Sequence, residues 1–184
     1  MSAIRSVVLG AVLMASVGAA PAVAQGAEFS LGGGVTSPLG NFDDGFKLGW
    51  HGTGAVSYVP PNLPVGFQID GTFSRLSDES DFDVKSQMIY GTGNVVYKFK
   101  VAEDTRFRPY LIGGGGVYNL DFKGDDVSSS VESVTKFGIN AGAGFDFKAG
   151  AAGLFLEGRF HNVFTEGDNT NFIPITVGVR FGGT

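Results

Sequence analysis

From Glu28 onward, apolar residues recur at every second position in blocks of about ten residues, and a helical spacing is nowhere sustained. Such a chain is restricted to strands with two chemically distinct faces. The first block places Phe29, Leu31 and Val35 together before Ser37-Pro38-Leu39-Gly40-Asn41 breaks it. The second sets Leu48, Trp50, Val56 and Tyr58 against Lys47, His51, Thr53 and Ser57, and the prolines Pro60, Pro61 and Pro64 then force a tight reversal. The third opposes Val65, Phe67, Ile69 and Phe73 to Gln68, Asp70, Thr72 and Ser74; the fourth opposes Ile89, Val95, Tyr97 and Phe99 to Tyr90, Thr92, Asn94 and Lys98.

A fifth block, Arg108 to Tyr118, is apolar on both faces, so its sides cannot be assigned, and its run Gly113 to Gly116 is expected to form a bulge. The sixth aligns Phe137, Ile139, Ala141, Ala143, Phe145 and Phe147 against Asn140, Asp146 and Lys148. In the seventh, Leu154, Leu156 and Phe160 oppose Glu157, Arg159 and His161; in the eighth, Ile173, Ile175, Val177, Val179 and Phe181 oppose Thr176 and Arg180.

About eight antiparallel strands of roughly ten residues, each long enough to cross a bilayer at a tilt, form an even set that closes on itself with both ends on one side. Closure matters because a sheet in hydrocarbon cannot leave edge N–H and C=O groups unpaired. The connections alternate between short turns (59–64, 100–106, 149–152) and longer acidic stretches, the asymmetry of bacterial barrels with their short turns in the periplasm. The expected fold is therefore all-β: an eight-stranded antiparallel up-and-down transmembrane β-barrel.

The N-terminus reads as export machinery. Arg5 precedes the apolar run Ser6 to Met14, which leads to Ala22-Val23-Ala24, so residues 1–24 are expected to be a cleaved signal peptide and 25–184 a single barrel domain. A single transmembrane anchor is the alternative reading of that run. With no cysteine, an exported domain has no disulfide framework, and a closed hydrogen-bonded network must hold it. The net charge of −5, about −6 without Arg5, disfavours nucleic acid as a partner. Only 17% of residues are charged, and the polar face carries mainly Gly, Ser, Thr and Asn. A soluble barrel needs a well-charged exterior, whereas small polar residues suit a narrow lumen, so the apolar face is expected to meet lipid. Tyr58, Phe67, Tyr97, Phe99, Tyr110, Phe145, Phe147 and Phe181, near the short turns, are expected to form an interfacial aromatic girdle.

The runs Gly32 to Phe42 and Pro109 to Tyr118, with the ending Pro174-Ile175-Thr176-Val177-Gly178-Val179-Arg180-Phe181, resemble the small outer-membrane β-barrel family of OmpX-like, opacity-type and OmpA-barrel proteins, over essentially the whole mature chain. The resemblance implies residence in the outer membrane of a Gram-negative-type bacterium, among its lipid and lipopolysaccharide. It also implies that Ile175, Val177, Val179 and Phe181 form the C-terminal signal bound by the barrel-assembly machinery through strand addition. The tail Gly182-Gly183-Thr184 departs from the family's usual aromatic terminus.

Charged residues on the polar faces, Asp70, Lys98, Asp146, Glu157, Arg159, His161 and Arg180, together with His51, are expected to form a lumenal polar network, because charges withdrawn from water must be paired. A gated proton or ion path is the other use of such a set. Some family members deacylate or acylate lipid A with a His near a Ser and an acid at the outer rim. Here His161 is followed by Asn162 and Val163, and His51 by Gly52 and Thr53, so no catalytic site is expected. The acidic residues Asp43, Asp44, Asp78, Glu79, Asp81, Asp83, Asp125, Asp126, Glu166 and Asp168 read as a solvated rim in preference to cation bridging to lipopolysaccharide. The 78–83 segment lacks the Gly and terminal Glu of an EF-hand, and no cofactor or metal is implied. The functional expectation is a structural or envelope-interaction barrel with a filled lumen. A narrow porin-like pore is the alternative, and a periplasmic lipocalin-like carrier a third.

Overall fold

Eight strands follow one another in the order of the alternating blocks: β1 (Ala27–Leu39), β2 (Gly49–Tyr58), β3 (Val65–Ser77), β4 (Lys85–Lys98), β5 (Phe107–Lys123), β6 (Val134–Ala149), β7 (Ala152–Val163) and β8 (Thr170–Gly182). The computed structural model describes residues 26–40, 48–60, 62–77, 85–102, 105–123, 134–149, 152–165 and 169–182. The expected signal peptide and the ten acidic residues of the expected rim, from Asp43 to Asp168, lie outside the described residues. Each strand pairs antiparallel with its chain neighbour, and β8 returns to β1, closing the barrel. At 10 to 17 residues the strands are on the whole longer than the alternating blocks indicated.

Short connections join β2 to β3, β4 to β5 and β6 to β7 at the end that also holds both strand termini. In the first, Leu63 N donates to Pro60 O at 3.0 Å, the tight reversal expected of the prolines, and Lys98 N donates to Pro64 O at 2.7 Å, tying that turn to β4.

Alternation places the large apolar side chains outside: Leu31, Phe67 and Ile69 are 64%, 65% and 73% exposed. On a closed sheet such an exterior is what hydrocarbon solvates. Tyr58, Phe67, Tyr97, Phe99, Phe107, Phe145, Phe147 and Phe181 project outward near the short-turn end, where Tyr97 and Phe99 pack edge-on at 5.0 Å. Trp50 against Phe73 (5.6 Å) and Phe137 against Phe164 (6.3 Å) lie toward the opposite end.

Tyr110 corrects the expected girdle: it is 1% exposed and lies in the lumen. On β5 the outward positions are Leu111 and Val117, so Tyr110, Ile112 and Tyr118 point inward. The expected bulge is absent as well, since Gly113 to Gly116 pair without a break with Val95 to Thr92 on one side and Ala141 to Gly138 on the other. These glycines allow close strand approach instead. A Cβ on inward Gly114 would lie 2.0 Å from Gly93 O, so any side chain there forces the ladder apart. At the other special position, Gly182 (φ +82°), the ladder runs one residue past Phe181 to meet Glu28.

Candidate functional site in the lumen

The inward faces fill the barrel in layers. Toward the long-loop end, Leu76, Met88, Tyr90, Tyr118, Leu120, Val163 and Phe172 form a buried apolar cluster. Tyr90 stacks on Tyr118 at 5.1 Å and His161 on Phe172 at 4.8 Å. His161 Nδ1 lies 2.8 Å from the Tyr118 hydroxyl, so this histidine belongs to the aromatic plug and has no ion-pair partner among the described residues.

Below the plug lies a central ionic cluster. Asp70 on β3 accepts from Thr92 Oγ1 (2.9 Å), Asn94 Nδ2 (2.7 Å), Gln68 Nε2 (3.3 Å) and Arg159 Nη1 (3.0 Å). Arg159 reaches across the lumen from β7 while its Nε donates to Glu157 Oε1 at 2.6 Å, so one guanidinium neutralises two carboxylates. The Tyr110 hydroxyl donates to the other Glu157 oxygen at 2.8 Å. Four hydrogen bonds on one buried carboxylate and both oxygens engaged on the other satisfy the rule that charge withdrawn from water must be fully coordinated.

His51 joins four strands near the closing seam. Ser74 Oγ donates to Thr36 Oγ1 (3.2 Å), which lies 3.0 Å from His51 Nδ1, while His51 Nε2 lies 2.9 Å from Thr176 Oγ1. A neutral imidazole with its proton on Nε2 completes a donor chain from Ser74 to Thr176. The void left among His51, Asp70, Glu157, Arg159, His161 and Thr176 measures about 10 Å³, the space of a single water.

At the short-turn mouth is a second ionic cluster. Lys98 Nζ lies 2.7 Å from Glu28 and 3.2 Å from Asp146, and Arg180 pairs with Asp146 at 2.5 Å. The Arg180 guanidinium also covers the rings of Tyr110 (5.3 Å) and Phe155 (5.0 Å).

The charged residues expected to form one network therefore divide. Asp70, Glu157 and Arg159 meet in the centre, Lys98, Asp146 and Arg180 at the mouth, and the two histidines stand apart on hydroxyl partners. Sequence reasoning missed Glu28 and Tyr110. Glu28 was accessible from parity, because Phe29 points outward and its neighbour must point inward; Tyr110 joins the clusters, with its hydroxyl on Glu157 and its ring under Arg180. Among the described residues, no group of three or more His, Asp or Glu side chains converges as a metal site would require.

A family model for an outer membrane protein beta-barrel domain matches residues 9–181. No curated protein matches the chain. Among solved structures it is similar to Neisserial surface protein A, with a TM-score of 0.68 and 16% identity, over 85% of this chain and 97% of that one. Ail, the attachment invasion locus protein of Yersinia pestis, gives a TM-score of 0.55 at 18% identity, covering 85% of this chain and 99% of its own. The outer membrane enzyme PagL gives 0.53 at 16% identity, covering 84% and 99%.

Proposed function

The chain belongs to the outer membrane protein β-barrel family and resides in the outer membrane of a Gram-negative-type bacterium, and from that premise we propose that it is a structural or envelope-interaction barrel whose lumen is closed to solutes. The observation that carries this reading is the filled interior, where the Asp70–Arg159–Glu157 cluster and the aromatic plug occupy the described middle of the lumen around a void of about 10 Å³. The fold alone does not choose a role, since similar barrels include an attachment protein and an enzyme.

Catalysis is disfavoured by the placement of the histidines. Both point into the lumen onto Thr or Tyr hydroxyls, away from the lipid-facing surface on which an acyl chain would have to be attacked. Purified protein in planar bilayers is expected to give no stable unitary currents. Open single-channel steps would replace this reading with that of a narrow pore.

For biogenesis we propose that residues 1–24 direct export and that Ile175, Val177, Val179 and Phe181, on the outward face of β8, are read by the assembly machinery. Phe181→Ala is expected to slow assembly and lower the amount of heat-modifiable barrel in outer-membrane fractions. Wild-type insertion kinetics would remove Phe181 from that role. The described exterior is fitted to lipid, and lipopolysaccharide and the assembly machinery are the partners this reading supplies.

A further inference from the structure

We propose that the vestibule at the short-turn mouth is an anion site that takes a phosphate group. The vestibule measures about 340 Å³, the lower end of the range of small-ligand pockets and enough for a headgroup-sized molecule. Among the described residues its wall carries Lys98, Arg106, Arg108, Lys148 and Arg180 against two carboxylates, Glu28 and Asp146. Both carboxylates are consumed by Lys98 and Arg180, whereas Arg106, Arg108 and Lys148 have no ion-pair partner among the described residues.

A second observation concerns the coordination of Arg180. Arg180 is 7% exposed, yet its Nε has no hydrogen-bond partner among the described residues, and the Glu28 carboxylate oxygen lies 3.8 Å from it, beyond hydrogen-bonding range. The guanidinium cannot turn to find one, being held by Asp146 and lying over Tyr110 and Phe155. Sealed from solvent, Nε is not itself a ligand contact, but it leaves the buried guanidinium incompletely coordinated and adds to the positive potential of the adjacent cavity.

The backbone brings the surrounding cations to one mouth. Arg108 projects inward in register with Asp146, and Lys148 N donates to Arg106 O at 2.9 Å, which fixes the two rim residues side by side. Cations from neighbouring strands around one cavity suit a tetrahedral anion with several acceptor oxygens. The half-exposed rings of Phe107 and Phe147 flank the mouth on the outside, as interfacial aromatics do, so the vestibule sits at headgroup level. The phosphate can therefore arrive on an anionic phospholipid or as a soluble phosphate ester.

The test uses the mature chain folded in a nonionic detergent. Glycerol 3-phosphate is titrated while the Gly153 and Gly182 amide resonances at the mouth are followed, with glycerol and acetate as controls. In parallel, nanodiscs of phosphatidylcholine with or without phosphatidylglycerol are extracted, and retained lipid is identified by native mass spectrometry. Saturable shifts with glycerol 3-phosphate indicate a soluble ester; selective retention of phosphatidylglycerol indicates a lipid headgroup; either supports the site. The double variant Arg108→Gln/Lys148→Gln, which keeps both ionic clusters, is expected to weaken binding by about tenfold or more while preserving heat-modifiable migration. The proposal is overturned by an absence of both saturation and selective retention, by equal responses to acetate and glycerol 3-phosphate, or by an affinity that the double variant leaves unchanged.

Discussion

Arg159→Ala is expected to lower the stability of the folded barrel by about 3–5 kcal/mol, because it strands two buried carboxylates at once. The Asp70 and Glu157 side chains are 1% and 5% exposed, and Arg159 is the only cation within salt-bridge distance of either among the described residues. Asp70 would keep its bonds from Thr92 and Asn94, and Glu157 its bond from Tyr110, but hydroxyl and amide donors do not cancel net charge. Urea unfolding in lipid vesicles, followed by tryptophan fluorescence from Trp50, measures the change. The triple variant Asp70→Asn/Glu157→Gln/Arg159→Ala distinguishes charge from packing: removal of the stranded charges should recover a large part of the loss. A single-variant loss of under about 1 kcal/mol would mean that water reaches the cluster, and the lumen would then not be sealed.

The second large effect concerns the exterior. Ala141 projects outward midway along β6, between Phe137 and Phe145, beside Gly113 on β5 and Phe160 on β7. In hydrocarbon an arginine near that depth costs about 2–4 kcal/mol. Ala141→Arg is therefore expected to destabilise the barrel by that amount in the same unfolding assay, while Ala141→Leu leaves it unchanged or slightly more stable. On a water-exposed surface the ranking would reverse, with arginine tolerated and leucine adding an apolar patch. Equal stability of the arginine variant and the wild type would contradict a lipid-facing exterior.

Facing was legible in the sequence wherever one side of a strand was polar. The parity of Val65, Phe67 and Ile69 against Gln68 and Asp70 is the parity observed, and the same holds for the alternating residues of β7 and β8. It failed on β5, where both faces are apolar because the inward side supplies Tyr110, Ile112 and Tyr118 to the filling of the lumen. A polar-inside rule is blind to a barrel that packs rings at both ends of its interior. Height along the axis was not legible at all. Whether Asp70 meets Arg159 or Arg180 depends on the stagger accumulated over the strands between them, and that stagger is set by pairing registers, which no local pattern encodes. For this reason the charged set appeared as one network in the sequence and as two clusters in space.

The seam between β1 and β8 is the pairing of greatest sequence separation in the barrel. Its ladder runs from Glu28 opposite Gly182 to Leu39 opposite Asn171, so the last segment delivered must find the first. Until it does, both partners are adhesive, open to any strand that passes, and the entropy of so wide a loop opposes their meeting. A nascent molecule of this topology therefore profits from a temporary surrogate for its missing neighbour, released only when the true one arrives.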